Sequence, residues 1–463
     1  MSDNQFDVVV IGAGAGGLFT AARLAHQGYR TLVVERLDKV GGRASTDDID
    51  GFKVNVGAIV IEVGGITQQT CEEVGAPFDI REPKPPILYR IGGKDVDVTG
   101  SGWGFLLGKL TRQAAKLVKG IGAARNDSGL PEDELSTAEW VAKYTKNEGV
   151  HGIFRNMCAS VFALGSDDLP ARVFLTYFTR KSAFKRFGFH PEGTIGLWKG
   201  LAGVVERDGG TIWLSTPATK ILLDGNRVTG VEVLRDGQTV RVDAPVVVSD
   251  VGPAATVKLL GEENVPRDYL EMVKRGDRPT SMISVNFASR ERLVDVPGML
   301  SFSKSRRLAY IANFTDTCPE MAPDGWNLYV GTLVPANPLG DFDEAAETEL
   351  LLQDLRDNIE NFDERTRIIN IAITRDDWPP AARRRGIRPP ARHPDHRAVE
   401  RRRRCQGVRQ RRHHGVRGDR KIGGRQDRRR VSASGALTRK APNEPDGALP
   451  RGQGLAVRLG LTG

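Results

Sequence analysis

The spacing of apolar and polar positions changes period several times along the chain, and each change marks an element. Residues 6–11 (Phe-Asp-Val-Val-Val-Ile) form a short, almost unbroken apolar run, the pattern of a parallel strand buried on both faces. Beyond a glycine cluster, Leu18, Ala21, Ala22, Leu24 and Ala25 recur at helical spacing, and Thr31-Leu-Val-Val-Glu35 reads as a second strand closed by an acid. This predicts a β-α-β unit. Residues 51–65 read as strand and loop, and 66–200 as mostly helical. Within the latter, Gly104–Gly122 predicts an amphipathic helix, with Phe105, Leu106, Leu110, Leu117, Val118 and Ile121 alternating with Lys109, Arg112, Lys116 and Lys119. Residues 196–208 predict a helix on Leu197, Leu201, Val204 and Val205. Short strands then follow at Thr211–Leu214, Lys220–Leu223, Val228–Leu234, Thr239–Val242 and Val246–Ser249, separated by turn residues such as Asp224-Gly225-Asn226 and Asp236-Gly237. That is a β-meander ending in a buried strand. Met282–Ala288 and Leu328–Leu333 are further expected strands, and no internal repeat is present.

The fold class expected from this order is α/β: a Rossmann-type nucleotide-binding domain (parallel sheet plus β-meander) interleaved with an α+β substrate domain. The expected boundaries are 1–65 for the first part of the nucleotide-binding domain and 66–195 for a mostly helical cap or substrate part. Residues 196–255 return to the nucleotide-binding domain, 256–378 to the substrate domain, and 379–463 form an atypical tail. A chain of 463 residues is long enough for such interleaved cores and for a large enclosed cofactor.

Chemistry enters at the glycine cluster, Gly12-Ala13-Gly14-Ala15-Gly16-Gly17. Between a strand and a helix, Gly12 allows the tight turn, Gly14 lets backbone approach a pyrophosphate, and Gly17 lets helix and strand pack closely. The helix N-terminus then presents free N–H groups and a positive dipole end to that anion. Glu35, 23 residues after Gly12, is placed to accept hydrogen bonds from a ribose diol, and its charge opposes a 2′-phosphate. A dinucleotide is therefore the expected ligand, in a form without that phosphate. Past the acid, Arg36-Leu37-Asp38-Lys39-Val40-Gly41-Gly42-Arg43 would turn back beside the pyrophosphate, with Arg43 as counter-charge.

The pairing of this glycine motif with E-R-x-x-x-x-G-G-R resembles the amine-oxidase and phytoene-desaturase superfamily of FAD proteins. Gly51-Phe52 and Asn55-Val56-Gly57-Ala58 continue the same pattern. His190-Pro191-Glu192-Gly193-Thr194, Thr216-Pro217-Ala218-Thr219-Lys220-Ile221 and Val248-Ser249-Asp250-Val251-Gly252-Pro253 are similar to the phytoene-desaturase and carotenoid-isomerase branch. The chain departs from that branch at Thr194, where the family usually has a second glycine, and at Ala218, where it commonly has a valine against the adenine. The resemblance spans about residues 6–378. It implies FAD as cofactor, with Gly12, Ala13, Gly14, Ala15, Gly16, Gly17, Glu35, Arg36, Gly42, Arg43, Gly57, Ala58, Ala218, Ser249 and Asp250 as the residues that would hold it. It also implies hydride transfer from an apolar, polyene- or isoprenoid-type substrate to the flavin and an external electron acceptor, since no second G-x-G-x-x-G marks a nicotinamide domain. A flavin amine oxidase, and a non-catalytic remnant with a basic nucleic-acid-binding tail, stay open as other readings.

No catalytic side chain is singled out: His26, His151 and His190 are scattered and read as structural or exposed. The charged group Asp167, Asp168, Arg172, Arg180, Lys181, Lys185 and Arg186 reads as a solvated helix face rather than a channel lining. Cys71, Cys158, Cys318 and Cys405 lie far apart with no C-x-x-C pair, so neither a disulfide framework nor a metal site is expected, and a reducing cytosol is the expected compartment. The Gly104–Gly122 face could rest on a lipid surface as a peripheral contact.

Charge alters this picture only at the end of the chain. Residues 380–463 carry 24 Lys+Arg against 6 Asp+Glu, a net +18, so the overall +9 leaves −9 on residues 1–379. Those last 84 residues contain no Phe, Tyr, Trp or Met, and such a segment is expected to be disordered. We do not expect it to be a nucleic-acid arm. The family places a strand, a Gly-Asp pair and a glycine-rich turn here to hold the flavin half of FAD. Codons for Ala398–Lys421 read one nucleotide later are compatible with L-W-N-V-G-D-A-V-K-E-Y-A-N-G-G-T-T-A-C-A-E-T-A-K, the outline of that motif. We therefore read the tail as the product of a one-nucleotide frameshift near Pro379.

Overall fold

The computed structural model describes residues 4–97, 120, 130–131, 134–179, 186–375 and 458–459. The expected helix over Gly104–Gly122, apart from Gly120, the cluster Arg180–Lys185 and nearly all of the basic tail lie outside these residues.

The first apolar run forms β1 (Val8–Ile11), every residue of it buried, and passes through the glycine turn into α1 (Ala15–His26) and β2 (Thr31–Val34). A hairpin of β3 (Ala44–Ile49) and β4 (Phe52–Gly57) follows, then β5 (Ile61–Glu62), which pairs antiparallel with β8 (Phe187–Gly188). β9 (Thr211–Trp213) lies beside β2, and β13 (Val246–Ser249) beside β1. With the two-residue strand β19 (Arg458–Leu459), the order is β19-β13-β1-β2-β9, parallel throughout.

β9 is a departure from expectation. Its residues read as the first strand of the meander, yet Leu32 pairs with Thr211 and Val34 with Trp213 in the parallel sheet. The reason is the helix before it: Ile195–Arg207 crosses the sheet, and a strand delivered by a helical crossover lies parallel to its neighbour. The meander itself has three antiparallel strands, β10 (Ala218–Asp224), β11 (Arg227–Arg235) and β12 (Gln238–Asp243). One face of the parallel sheet packs Val8, Val10 and Val33 against Leu18, Ala21 and Ala22 of α1 and Leu197, Leu201 and Val205 of the crossing helix. The other packs Val9, Ile11, Leu32 and Val247 against Ile221, Val231 and Val242 of the meander.

The second core is a seven-stranded mixed sheet in the order β18-β14-β17-β16-β15-β6-β7. Its strands are β6 (Ile87–Ile91), β7 (Lys94–Asp97), β14 (Met282–Ser289), β15 (Met299–Phe302), β16 (Leu308–Asn313), β17 (Asn327–Leu333) and β18 (Arg367–Thr374). β6 and β7 fall in a stretch that reads as mostly helical. Gly92 and Gly93, both at positive φ, fold them into a hairpin, and β6 then runs parallel to β15.

Side chains alternate across this sheet. Ile283, Val285, Phe287, Tyr329, Leu333, Leu308 and Ile311 meet helix Glu344–Asn358 on one face. Ala288, Tyr310, Ala312, Leu328 and Val330 face the other way, against Phe52, Val54, Ile59, Phe187 and Phe189. Helices Thr137–Ala142, Glu148–Phe162 and Ala171–Thr179 add a third layer centred on Trp140, Phe154 and Phe174. Among the described residues no helix is long and apolar enough to cross a membrane.

Candidate active site

The glycine turn is built as its sequence requires. Gly12 sits at φ +100°, a conformation that penalises any side chain, and its N–H donates to the Val34 carbonyl at 2.8 Å. A Cβ on Gly17 would run into the Gly12 carbonyl oxygen, and one on Gly16 into the Asp250 carboxylate. The glycines of this turn carry no side chain where one would clash, and the N-terminal end of α1 meets the Asp250 carboxylate. Ala13 is fully buried beneath it, and Ala15 begins the helix.

Glu35 leaves the end of β2 buried, and its carboxylate is already oriented by two backbone donors. Ala13 N–H donates to Oε2 at 2.7 Å and Leu37 N–H to Oε1 at 2.9 Å. Each oxygen retains a lone pair for a diol. Arg36 is exposed beside it. The backbone of Thr216 closes on Glu35 from the other side, its N–H donating to the Glu35 carbonyl at 2.7 Å, which brings Ala218 into this end of the site.

The second glycine turn does come back. Gly41 N–H donates to the Ala13 carbonyl at 2.8 Å, and a Cβ on Gly42 would stand 3.6 Å from the Gly14 Cα. Arg43 follows, exposed, with its carbonyl accepting from Ala58 N–H at 3.1 Å, and Ala44 pairs with Gly57, which is at φ +112°. Gly12–Gly17, Gly41–Arg43 and Gly57-Ala58 thus form one continuous backbone cradle.

Asp250 contributes something its sequence context did not disclose. Its N–H donates to the Ile11 carbonyl at 2.8 Å, holding it past the end of β13, and its carboxylate accepts from Gly17 N–H at 2.8 Å. It therefore takes a place at the α1 N-terminus, where an anion is stabilised. Burial nonetheless dominates and raises its pKa; the Gly17 hydrogen bond and Arg43 lower it, and Glu35 raises it further. Ser249 behaves differently, because its hydroxyl is spent on Thr256 at 2.7 Å; what it supplies to the cradle is backbone position.

A buried polar network behind the cradle was also beyond sequence reasoning. The Asn55 Oδ1 accepts from Thr46 Oγ1 at 2.9 Å and from Thr194 N–H at 3.0 Å, while Thr46 Oγ1 accepts from Ile195 N–H at 3.1 Å. These bonds tie the β3–β4 hairpin to the N-terminus of helix Ile195–Arg207. They also account for threonine at position 194: its φ of −58° needs no glycine, and its hydroxyl donates to the Ser45 carbonyl at 3.2 Å. His190 lies in the same loop, its Nδ1 accepting from Glu192 N–H at 3.1 Å; burial lowers its pKa and favours the neutral ring. His26 pairs with Asp208 on the surface, and His151 bonds the Thr145 carbonyl. Both are remote from the cradle. Arg186 forms an ion pair with Glu82.

A parallel Rossmann sheet, a glycine turn, a buried acid at the end of the second strand and a second glycine turn folded back on the first define a dinucleotide-binding protein. The family model for flavin containing amine oxidoreductases matches residues 15–405, and the chain belongs to that family; it is an FAD-dependent oxidoreductase. It is 27% identical over 285 residues to a zeta-carotene-forming phytoene desaturase of Myxococcus xanthus, an alignment covering 55% of this chain and 55% of that protein. It is 25% identical over 339 residues to an all-trans-retinol 13,14-reductase of Danio rerio, covering 62% and 55%. The chain thus spans about half the length of these two relatives. The crystal structure of an oxidoreductase from Methanosarcina mazei is similar with a TM-score of 0.72 at 26% identity, covering 81% of this chain and 90% of the other.

The residues present fit the ADP half of FAD. The Gly12–Gly17 turn and the α1 N-terminus would receive the pyrophosphate, Glu35 the ribose, and Ala218 the adenine edge.

Proposed function

We propose that the protein is a desaturase- or dehydrogenase-type enzyme acting on an apolar, polyene- or isoprenoid-like substrate. Bound FAD supplies the hydride acceptor, and an external acceptor would reoxidise it. The observation that carries this reading is the face of the seven-stranded sheet turned toward Gly57–Ile59. There Ala288, Ala312, Leu328 and Val330 pack with Ile59, Phe187 and Phe189 in one apolar cluster. A hydrocarbon held against this side of the sheet would be oriented by shape and screened from water, leaving the redox step to the cofactor. The likeness to a phytoene desaturase and a retinol reductase supports the same substrate class. The basic and apolar residues that alternate over 104–122 in the sequence would let an apolar substrate be collected from a lipid surface.

The test is anaerobic mixing of FAD-loaded protein with a panel of polyenes and primary amines, following loss of oxidised-flavin absorbance. Bleaching by polyenes is expected, whereas bleaching by amines alone would establish the amine-oxidase reading instead. The panel is run on the present chain and on one whose reading frame is corrected near Pro379. The corrected chain is expected to retain more FAD. Equal retention, together with peptides from 380–463 in the native proteome, would remove the frameshift reading.

A further inference from the structure

The apolar wall described above has a polar insertion. Register places Ser284 opposite Thr332, and Thr332 opposite Tyr310. Asn286 lies two residues from Ser284 on β14, so all four side chains share one sheet face. It is the face that carries Ala288, Ala312 and Val330 toward Ile59, not the one that meets helix Glu344–Asn358. Asn286 is 2% exposed and Thr332 is 1% exposed, yet Asn286 Nδ2 and Thr332 Oγ1 have no hydrogen-bond partner. Tyr310 is buried, and desolvation pushes its pKa up to about 12, with the Thr332 hydroxyl beside it pulling it down. Tyr310 is thus a neutral phenol at physiological pH and can donate.

Buried polar atoms in folded proteins are nearly always paired, because an orphan costs its full desolvation penalty. Two orphans two residues apart in register, on adjacent strands and on the one sheet face that packs with Ile59, point to a group that arrives from outside the sheet. An amide N–H, a threonine hydroxyl and a phenol together suit an uncharged oxygen, which accepts from the amide and can exchange one more hydrogen bond with a hydroxyl. No cationic side chain belongs to this group of four, so a carboxylate or phosphate is not matched.

We propose that Asn286, Thr332 and Tyr310 form a specificity site for a hydroxyl or carbonyl oxygen on an otherwise apolar substrate. The substrate class is then an oxygenated polyene or isoprenoid, not a pure hydrocarbon. This rests on the reading of the sheet face as the substrate wall, and it adds the polar end.

The test uses the full-length protein in direct binding titrations, with retinoid fluorescence reporting, of all-trans-retinol and of the hydrocarbon polyene with the same skeleton lacking the oxygen. Wild type is expected to prefer the alcohol by about tenfold or more, because the hydrocarbon leaves the same atoms unpaired. The near-isosteric variants T332V and N286L, alone and together, should bring the ratio toward one by weakening the alcohol and leaving the hydrocarbon unchanged or tighter. Both variants remove an orphan polar atom, so each should melt at or above the wild-type temperature; a variant that melts lower is replaced in the comparison by the other. Equal affinity of wild type for alcohol and hydrocarbon overturns the proposal and assigns the orphan atoms to buried water. Failure of either polyene to bind while FAD is retained would instead overturn the apolar-substrate reading. FAD retention is measured separately in each sample, so loss of the cofactor is distinguished from both.

Discussion

Replacing Gly17 with alanine adds one methyl group at the most crowded point of the cofactor cradle. The new Cβ would sit 2.0 Å from the Gly12 carbonyl oxygen and 3.0 Å from its carbon. A relaxed carbon–oxygen contact needs about 3.3 Å, so α1 and β1 must separate by on the order of 1.3 Å. Neither element can yield cheaply: Leu18, Ala21 and Ala22 on the helix and Val9 and Val10 on the strand are all 0% exposed. Overpacking of this kind costs about 1–3 kcal/mol, and a gap opened alongside forfeits a quarter to a half of the dispersion between the facing atoms. We expect the upper end, about 3 kcal/mol, seen as a fall in melting temperature of about 4 °C for a folded body of this size. FAD affinity should fall at least about tenfold, because the displaced turn carries the N–H groups that receive the pyrophosphate. Thermal melts by circular dichroism and titration of FAD fluorescence read the two effects. Gly203 is the control. It lies exposed in the helix Ile195–Arg207 with nothing within 4 Å of a Cβ, so G203A should stabilise by about 0.5–1 kcal/mol. A G17A protein that melts and binds FAD like wild type would refute the close-approach argument, as would a G203A protein that loses as much as G17A.

Two other sites give sharp expectations. The pKa of Asp250 is raised by burial, so its contribution to stability is fully present below the unfolded carboxyl pKa and is lost as pH rises through the folded value. D250N, which keeps an acceptor for Gly17 N–H, should therefore gain on wild type in melting temperature between acid and neutral pH. FAD affinity of wild type should weaken over the same range while that of D250N stays flat; parallel pH profiles would show that the carboxylate does not oppose the cofactor. Asp354, 2% exposed, accepts from the backbone N–H groups of Arg306, Arg307 and Leu308 at 3.1, 2.7 and 2.9 Å and from the Arg306 guanidinium at 3.0 Å. D354A leaves these donors unpaired at the β16 entry and should cost about 3–5 kcal/mol in urea unfolding, a loss that D354N recovers only in part. A loss below about 1 kcal/mol would mean that water replaces the carboxylate.

The extent to which the sequence disclosed the site follows the range of the interactions involved. The Gly12–Gly17 turn, Glu35 and the return through Gly41–Arg43 are local: strand, helix and strand are contiguous, and the glycines are required by backbone geometry within a few residues of themselves. Periodicity also identified β14 and β17, because a central strand shows its burial in its own residues. Periodicity could not name partners. Thr211–Trp213 joined the parallel sheet and not the meander, and β6 and β7 joined a sheet whose other strands lie some two hundred residues onward.

Side-chain direction was the larger omission. Asp250 meets Gly17 across 233 residues, and no local pattern sets the angle at which β13 delivers it. Thr194 departs from the family's glycine because Asn55 and Thr46, on a separate hairpin, supply hydrogen bonds that a glycine there could only half use. Asn286, Thr332 and Tyr310 are ordinary strand residues in the linear text, and only pairing of three strands sets them together on one sheet face. The sequence by itself determined the cofactor, since a dinucleotide turn is specified by residues that must lack side chains within one short segment. Tertiary structure alone decided which buried polar groups share one sheet face, because pairing register, unlike a glycine turn, is written in several strands at once.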